Sequence, residues 1–220
     1  MTTNLKTTIG LVVAGVIALA ALLYFADPRP AAPGGGGAEA PTAETLVRPD
    51  SHRLATAPDG APVFVEFLDF ECESCYAAFP AVEQIRAEYA GRVTFVVRYF
   101  PIPSHANAEN AAVAVEAAAQ QGRFEDMYRT MFETQPQWGE QEQSQAPRFR
   151  QFAAELGLDL AAYDRAVADP ATLERVRADR EDGFAAGVAG TPTFFVDGAR
   201  LAPRSVADLR AALDSALADR

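Results

Sequence analysis

Cys72 and Cys75 are the only thiols in a chain of 220 residues, and two residues separate them. They lie in "FLDFECESCYAAFP", residues 67–80. Three chemistries suit so close a pair: a structural disulfide, a metal knuckle and a redox dithiol. A disulfide across two intervening residues closes a tiny loop, and chain-entropy stabilisation grows with loop length, so it would contribute little. Structural zinc asks for four ligands, whereas the chain adds only His52 and His105, at scattered positions. Carboxylates or a second chain would have to complete such a site. A redox pair asks for both cysteines in the first turn of a helix. There, residues i and i+3 share a face and can form a disulfide after slight adjustment. The first cysteine meets unpaired backbone N–H groups and the positive end of the helix dipole, which favour a thiolate. Cys72 is then the attacking thiol and Cys75, one turn inside, the resolving one.

The surrounding elements have to supply that helix. Residues 63–70, "VFVEFLDF", form a nearly continuous apolar run, as expected of a central strand covered on both faces. The next stretch, 72–89, carries Ala78, Val82, Ile85 and Tyr89 at helical spacing and stops at Gly91. Residues 92–100, "RVTFVVRYF", read as a second central strand, so a βαβ unit with parallel strands and a right-handed crossover is expected. Upstream, "SHRLATAPDG" offers a short strand and a Pro-Asp-Gly turn.

Downstream the pattern turns helical. Ser104 is expected to cap a helix reaching Gly122, followed by helices at about 123–134, 146–156, 160–168 and 171–187. Asp159 is a candidate cap, and Pro136, Pro147 and Pro170 mark edges. Strand structure returns in "TPTFFVDGARLAP", where Asp-Gly suits a tight hairpin. A last helix begins at Ser205, with Asp208 three residues later. The sum is a small mixed sheet with a large helical insertion. Glu66 interrupts the first central strand. Buried there, its carboxyl would be desolvated and its pKa raised; the alternative puts it at a solvated sheet edge.

Roughly half the residues are apolar, enough for a substantial core. The formal charge of −11 excludes the basic stripe a nucleic-acid binder needs and otherwise describes a solvated surface. Residues 9–26, "IGLVVAGVIALAALLYFA", carry no charge and are long enough to span a hydrocarbon core of about 30 Å. They are expected to be a membrane anchor (1–26), with Tyr24 and Phe25 at the interface. The competing reading is a signal peptide cleaved near Ala18-Leu19-Ala20. Either one places the remainder outside the cytoplasm. Residues 27–50, rich in Pro, Gly and Ala, read as a flexible tether.

Three segments, "EFLDFECESCYAAFP", "HANAENAAVAVEAAAQQGRFEDMYRTMFETQPQW" and "GVAGTPTFFVDG", resemble the DsbA-like branch of the thioredoxin superfamily. The resemblance covers about residues 51–220. It implies an α/β, thioredoxin-like fold with an inserted all-helical domain at about 104–187, here preceded by a transmembrane helix. It also implies a cis Pro192 facing the cysteines, with the Thr191 backbone pairing an extended substrate segment. Glu66 would lie beneath the pair and help move the proton of the resolving thiol. His105 matches a histidine that often opens the insertion, and its role there is structural. The implied activity is disulfide formation in reduced or unfolded exported proteins, with no cofactor or metal. Reoxidation would fall to a membrane partner of the DsbB or vitamin-K-epoxide-reductase type. The same site run in reverse would make a reductase or isomerase, and a binding or chaperone module would keep the fold without turnover. The intervening pair departs from the family pattern: Glu73 replaces the common proline, and Ser74 the histidine of the strongest oxidants. Glu73 adds negative charge near Cys72, so a higher Cys72 pKa than in those oxidants is expected, partly offset by a Ser74 hydrogen bond to the sulfur.

Overall fold

Alternation along two strands accounts for their almost unbroken apolar character. In the computed structural model of the protein, which describes residues 43–220, β2 (Val63–Leu68) and β3 (Thr94–Tyr99) lie side by side and parallel. Phe64 and Leu68 of β2 and Phe95, Val97 and Tyr99 of β3 enter the larger core cluster. Val65, Phe67, Val96 and Phe100 enter a smaller cluster on the opposite face. The sheet is completed by β1 (His52–Ala55), β4 (Thr193–Val196) and β5 (Ala199–Arg200), in the order β1-β3-β2-β4-β5. Only the β2–β3 pair is parallel. The β4–β5 turn uses Asp197 (φ 48°) and Gly198 (φ 88°), the left-handed pair a two-residue hairpin requires.

A short helix, α1 (Ala43–Leu46), precedes β1, and α2 (Glu73–Glu88) crosses from β2 to β3. Five helices separate β3 from β4: α3 (Ala108–Ala119), α4 (Phe124–Thr134), α5 (Ala146–Glu155), α6 (Leu160–Ala168) and α7 (Pro170–Ala185). A 3-10 turn, Gln135–Gln137, follows α4. The last helix, α8 (Val206–Ala218), starts where Ser205 accepts a hydrogen bond from the Asp208 N–H. Asp159 likewise caps α6, accepting from Ala161 and Ala162. Arg98, with no exposed surface, ties the sheet to α7 through Asp179 (2.8 Å) and Asp182, and donates to the Leu46 carbonyl.

Two expectations change. The tether does not run to residue 50: Leu46 is 1% exposed and packs in the smaller core with Val65 and Phe67, so the fold begins before it. Ser104 does not cap α3, which starts only at Ala108 with Asn107 at its edge. The Asn107 side chain turns away from the helix, donating to the Gln141 and Gln143 carbonyls and accepting from the Gln145 N–H. The anchor expected at residues 1–26 lies outside the described residues. Among the described residues, no helix is long and apolar enough to cross a membrane.

Candidate active site

Cys72 is the last extended residue before α2 (φ −69°, ψ 121°), and its carbonyl accepts the first helical hydrogen bond, from Tyr76 N at 3.0 Å. That conformation turns the sulfur across the helix N-terminus. The Cys72 thiol donates to the Thr191 carbonyl at 3.4 Å, and the Thr191–Pro192 peptide bond is cis. Cys72 is 7% exposed and Cys75 1%, and both thiols are free.

The Cys72 pKa falls from 9.0 to about 5. The Cys75 S–H donates to the ionised sulfur, and this contribution is the largest; burial opposes it, and Thr191 and the Cys75 and Ser74 backbone N–H groups add donors. Cys75 moves the other way, well above 9.0, through burial first, then its bond to Cys72 and the charges of Cys72 and Glu66. One thiol is a thiolate at neutral pH and its partner holds its proton. The Thr191 hydroxyl is buried with no other hydrogen-bond partner, which leaves its O–H for the Cys72 sulfur. Thr191→Val removes that donor and is expected to raise the Cys72 pKa by about one unit, since a hydrogen bond to a charged group contributes on the order of 1.5–3 kcal/mol. Thiolate absorbance against pH reads the shift; an unchanged titration rejects it.

Glu66 is not at a sheet edge. It is 3% exposed in the central strand, opposite Val97 on one side and Phe194 on the other. Strand alternation puts it on the face of Phe64 and Leu68, which holds the larger core and both cysteines. Burial, then the charges of Glu83 and Cys72, lift its pKa to about 8. Glu83 is bound by Arg86 (3.0 and 2.7 Å) and Arg129 (2.5 Å).

Glu73 and Ser74 are exposed. The Glu73 carboxyl lies against that of Glu140, whose pKa it raises through a hydrogen bond and like charge. The donors around the sulfur hold the Cys72 pKa well below 9.0, and Ser74 contributes through its backbone N–H. Both residues line a cleft of about 420 Å³ with Glu71, Cys72, His105 and Glu140.

Residues not singled out from the sequence complete the site. Asp69, 1% exposed, accepts from Ile102 N (2.9 Å), Glu71 N (2.8 Å) and His105 Nδ1 (2.7 Å). Burial still pushes its pKa up against those donors. Glu71 accepts from Asn107 N at 2.6 Å. Gln135 donates to the Phe70 and Cys72 carbonyls. The one available signal was Asp69 at the end of an apolar run; nothing local marks Gln135. Among the described residues, no group of three or more His, Cys, Asp or Glu side chains is arranged to hold a metal ion.

The mixed sheet with helices inserted between β3 and β4, and the CxxC pair facing a cis-proline loop, make a thioredoxin-like fold of the kind that DsbA-type structures also have. The thioredoxin family model matches residues 55–215, and the chain belongs to that family. Similar solved structures include Wolbachia pipientis alpha-DsbA1 (TM-score 0.70, 17% identity, 79% of this chain and 94% of that one). A thioredoxin-like oxidoreductase from Silicibacter pomeroyi gives 0.65 and 26%, over 78% and 95% of the two chains. Oxidised BdbD from Bacillus subtilis gives 0.65 and 20%, over 74% and 91%. Among curated relatives, the Na(+)/H(+) antiporter NhaA 1 of Mycobacterium sp. (strain KMS) is 34% identical over 184 residues, 80% of this chain. NhaA 3 of Salinispora tropica is 36% identical over 175 residues, 78% of this chain. The chain spans only 29% and 26% of the lengths of those two relatives.

Proposed function

We propose that the protein is a thiol–disulfide oxidoreductase that donates a Cys72–Cys75 disulfide to reduced exported proteins. In this reading residues 1–26 anchor it in the cell membrane, with the catalytic domain on the extracytoplasmic side. A substrate thiolate attacks Cys72 Sγ, the Cys72–Cys75 bond breaks, and Cys75 leaves with the electron pair and takes a proton. Glu66, with a pKa of about 8, is protonated at neutral pH and is the group to supply it. A second substrate thiolate then attacks the substrate sulfur of the mixed disulfide and expels Cys72 as a thiolate. The substrate loses two electrons and the pair gains them. A membrane partner of the DsbB or vitamin-K-epoxide-reductase type would withdraw them again.

The observation that carries the direction is the set of donors converging on Cys72 Sγ. Lowering its pKa from 9.0 to about 5 favours the reduced form about a hundredfold at pH 7, or roughly 60 mV toward a more oxidising disulfide. The antiporter relatives share only a minor part of their length with this chain. The test equilibrates the full chain, in detergent, with glutathione buffers and reads its redox state by thiol alkylation. A potential well above thioredoxin's roughly −270 mV is expected. A value at or below that level replaces disulfide donation with the reductase direction.

A further inference from the structure

We infer that Gln135, which belongs to the helical insertion, is a positioning residue that holds Cys72 Sγ across the N-terminus of α2 by binding the carbonyls on either side of Glu71. Its Nε2 donates to the Phe70 carbonyl at 2.8 Å and to the Cys72 carbonyl at 2.9 Å. Both amide hydrogens are used, one on each carbonyl. The Cys72 carbonyl is also the first acceptor of α2, so the amide reinforces the turn that aims the Ser74 and Cys75 N–H groups.

Gln135 is itself held firmly. It is 4% exposed, and its own carbonyl accepts from Trp138 N at 3.0 Å and Gly139 N at 2.7 Å. A Cβ on Gly139 would come within 3.1 Å of that carbonyl oxygen, so the turn closes tightly on Gln135. Trp138 beside it is fully buried, edge-on to Phe149, with Nε1 donating to the Met131 carbonyl. The insertion thus presents a fixed two-pronged donor to the redox segment. Without it, the Phe70 carbonyl loses this donor and the Cys72 carbonyl keeps only the Tyr76 N–H, so more of its negative end is left near the sulfur, which disfavours the thiolate.

The inference rests on the redox reading of Cys72, and one experiment separates the two. The full-length chain in detergent is titrated by thiolate absorbance and equilibrated with glutathione, as wild type, Gln135→Met and Trp138→Phe. Gln135→Met keeps the length and removes the donors. It is expected to raise the Cys72 pKa by about one unit and to lower the equilibrium constant for disulfide donation about tenfold. Trp138→Phe, which loses the Nε1 bond to Met131 but keeps the backbone bond to Gln135, is expected to lower Tm and to move both readouts much less than Gln135→Met does. A wild-type Cys72 that titrates like an ordinary thiol removes the redox reading itself. A depressed wild-type pKa that Gln135→Met leaves unmoved, or that Trp138→Phe moves equally, overturns the role of Gln135. Should the Met variant not fold, Gln135→Asn, one methylene short of both carbonyls, carries the same test: an intermediate rise supports the role, and none rejects it.

Discussion

Full-length protein carrying Cys75→Ser will trap a mixed disulfide at Cys72 when given oxidised glutathione or a disulfide-bonded protein, and Cys72→Ser will trap almost none at Cys75. The asymmetry follows from proton affinity and access. At pH 7 a thiol of pKa about 5 is almost wholly ionised, and only the thiolate attacks. Cys75, above 9.0 and 1% exposed, is ionised to less than about one part in a hundred. Exchange through Cys72→Ser should therefore be slower by at least about a hundredfold. In the wild type the adduct does not accumulate, because Cys75 attacks it from the next turn of α2. Mass spectrometry of the alkylated protein under non-reducing conditions locates the adduct. An adduct on Cys75, or near-normal exchange by Cys72→Ser, would reverse the assignment of the two thiols.

The second large effect belongs to Glu66. Its folded pKa of about 8 lies above its ordinary 4.5, so between those values the folded state keeps a proton the unfolded chain releases. Its contribution is complete below pH 4.5, falls by about 1.4 kcal/mol per pH unit, and is gone above 8. Cys72 has the opposite sign: its folded pKa of about 5 stabilises the reduced protein progressively from pH 5 to 9. In the reduced protein the two slopes nearly cancel. In the oxidised protein, which has no thiols to titrate, the Glu66 slope is no longer offset, and without the Cys72 charge burial and Glu83 are what hold its pKa up. Glu66→Gln should flatten the fall of oxidised stability between pH 5 and 8 and leave reduced stability rising with pH. It should also slow proton transfer at Cys75, and so the resolving step, by about a hundredfold. Denaturant unfolding at pH 5 and 8 in both redox states measures the first effect, and decay of a preformed Cys72 adduct measures the second. An oxidised Glu66→Gln protein that kept the wild-type slope would show that Glu66 does not hold the proton.

Periodicity made the thioredoxin-like core legible. The run from Val63 to Leu68 and its partner in β3 bury alternate side chains in two clusters, so their apolar character reports a two-faced strand without reference to partners. Glu66 stood out because a carboxylate among such residues breaks the pattern. What stayed hidden is held by contacts distant in sequence. Gln135 reaches carbonyls 65 and 63 residues away, and its type suggests only a polar turn. Ser104 offered a good cap by local chemistry, yet the chain there is pulled into a turn by His105 and Asn107 binding Asp69 and Glu71. Leu46 is one apolar residue in a polar stretch, and its burial depends on the groove between the sheet and α7. The charge of Glu73 was read along the sequence as a neighbour of Cys72, whereas in space its carboxyl faces Glu140.

Residues 69–72 are bound at every step from the insertion: Asp69 by Ile102 and His105, Phe70 and Cys72 by Gln135, Glu71 by Asn107. The nucleophile is therefore immobilised before any partner arrives, and little of the conformational entropy of docking is lost on this side. In the proposed reaction the loss would fall on the substrate, which would have to extend a segment along Thr191 and bring its sulfur to a stationary one. A chain that has not yet folded can do so by selecting among conformations it already visits, whereas a finished domain would first have to open. Under the proposed function, rigidity of the thiol would act as a timing device, directing disulfide donation to polypeptides early in their folding, when their cysteines are still mobile.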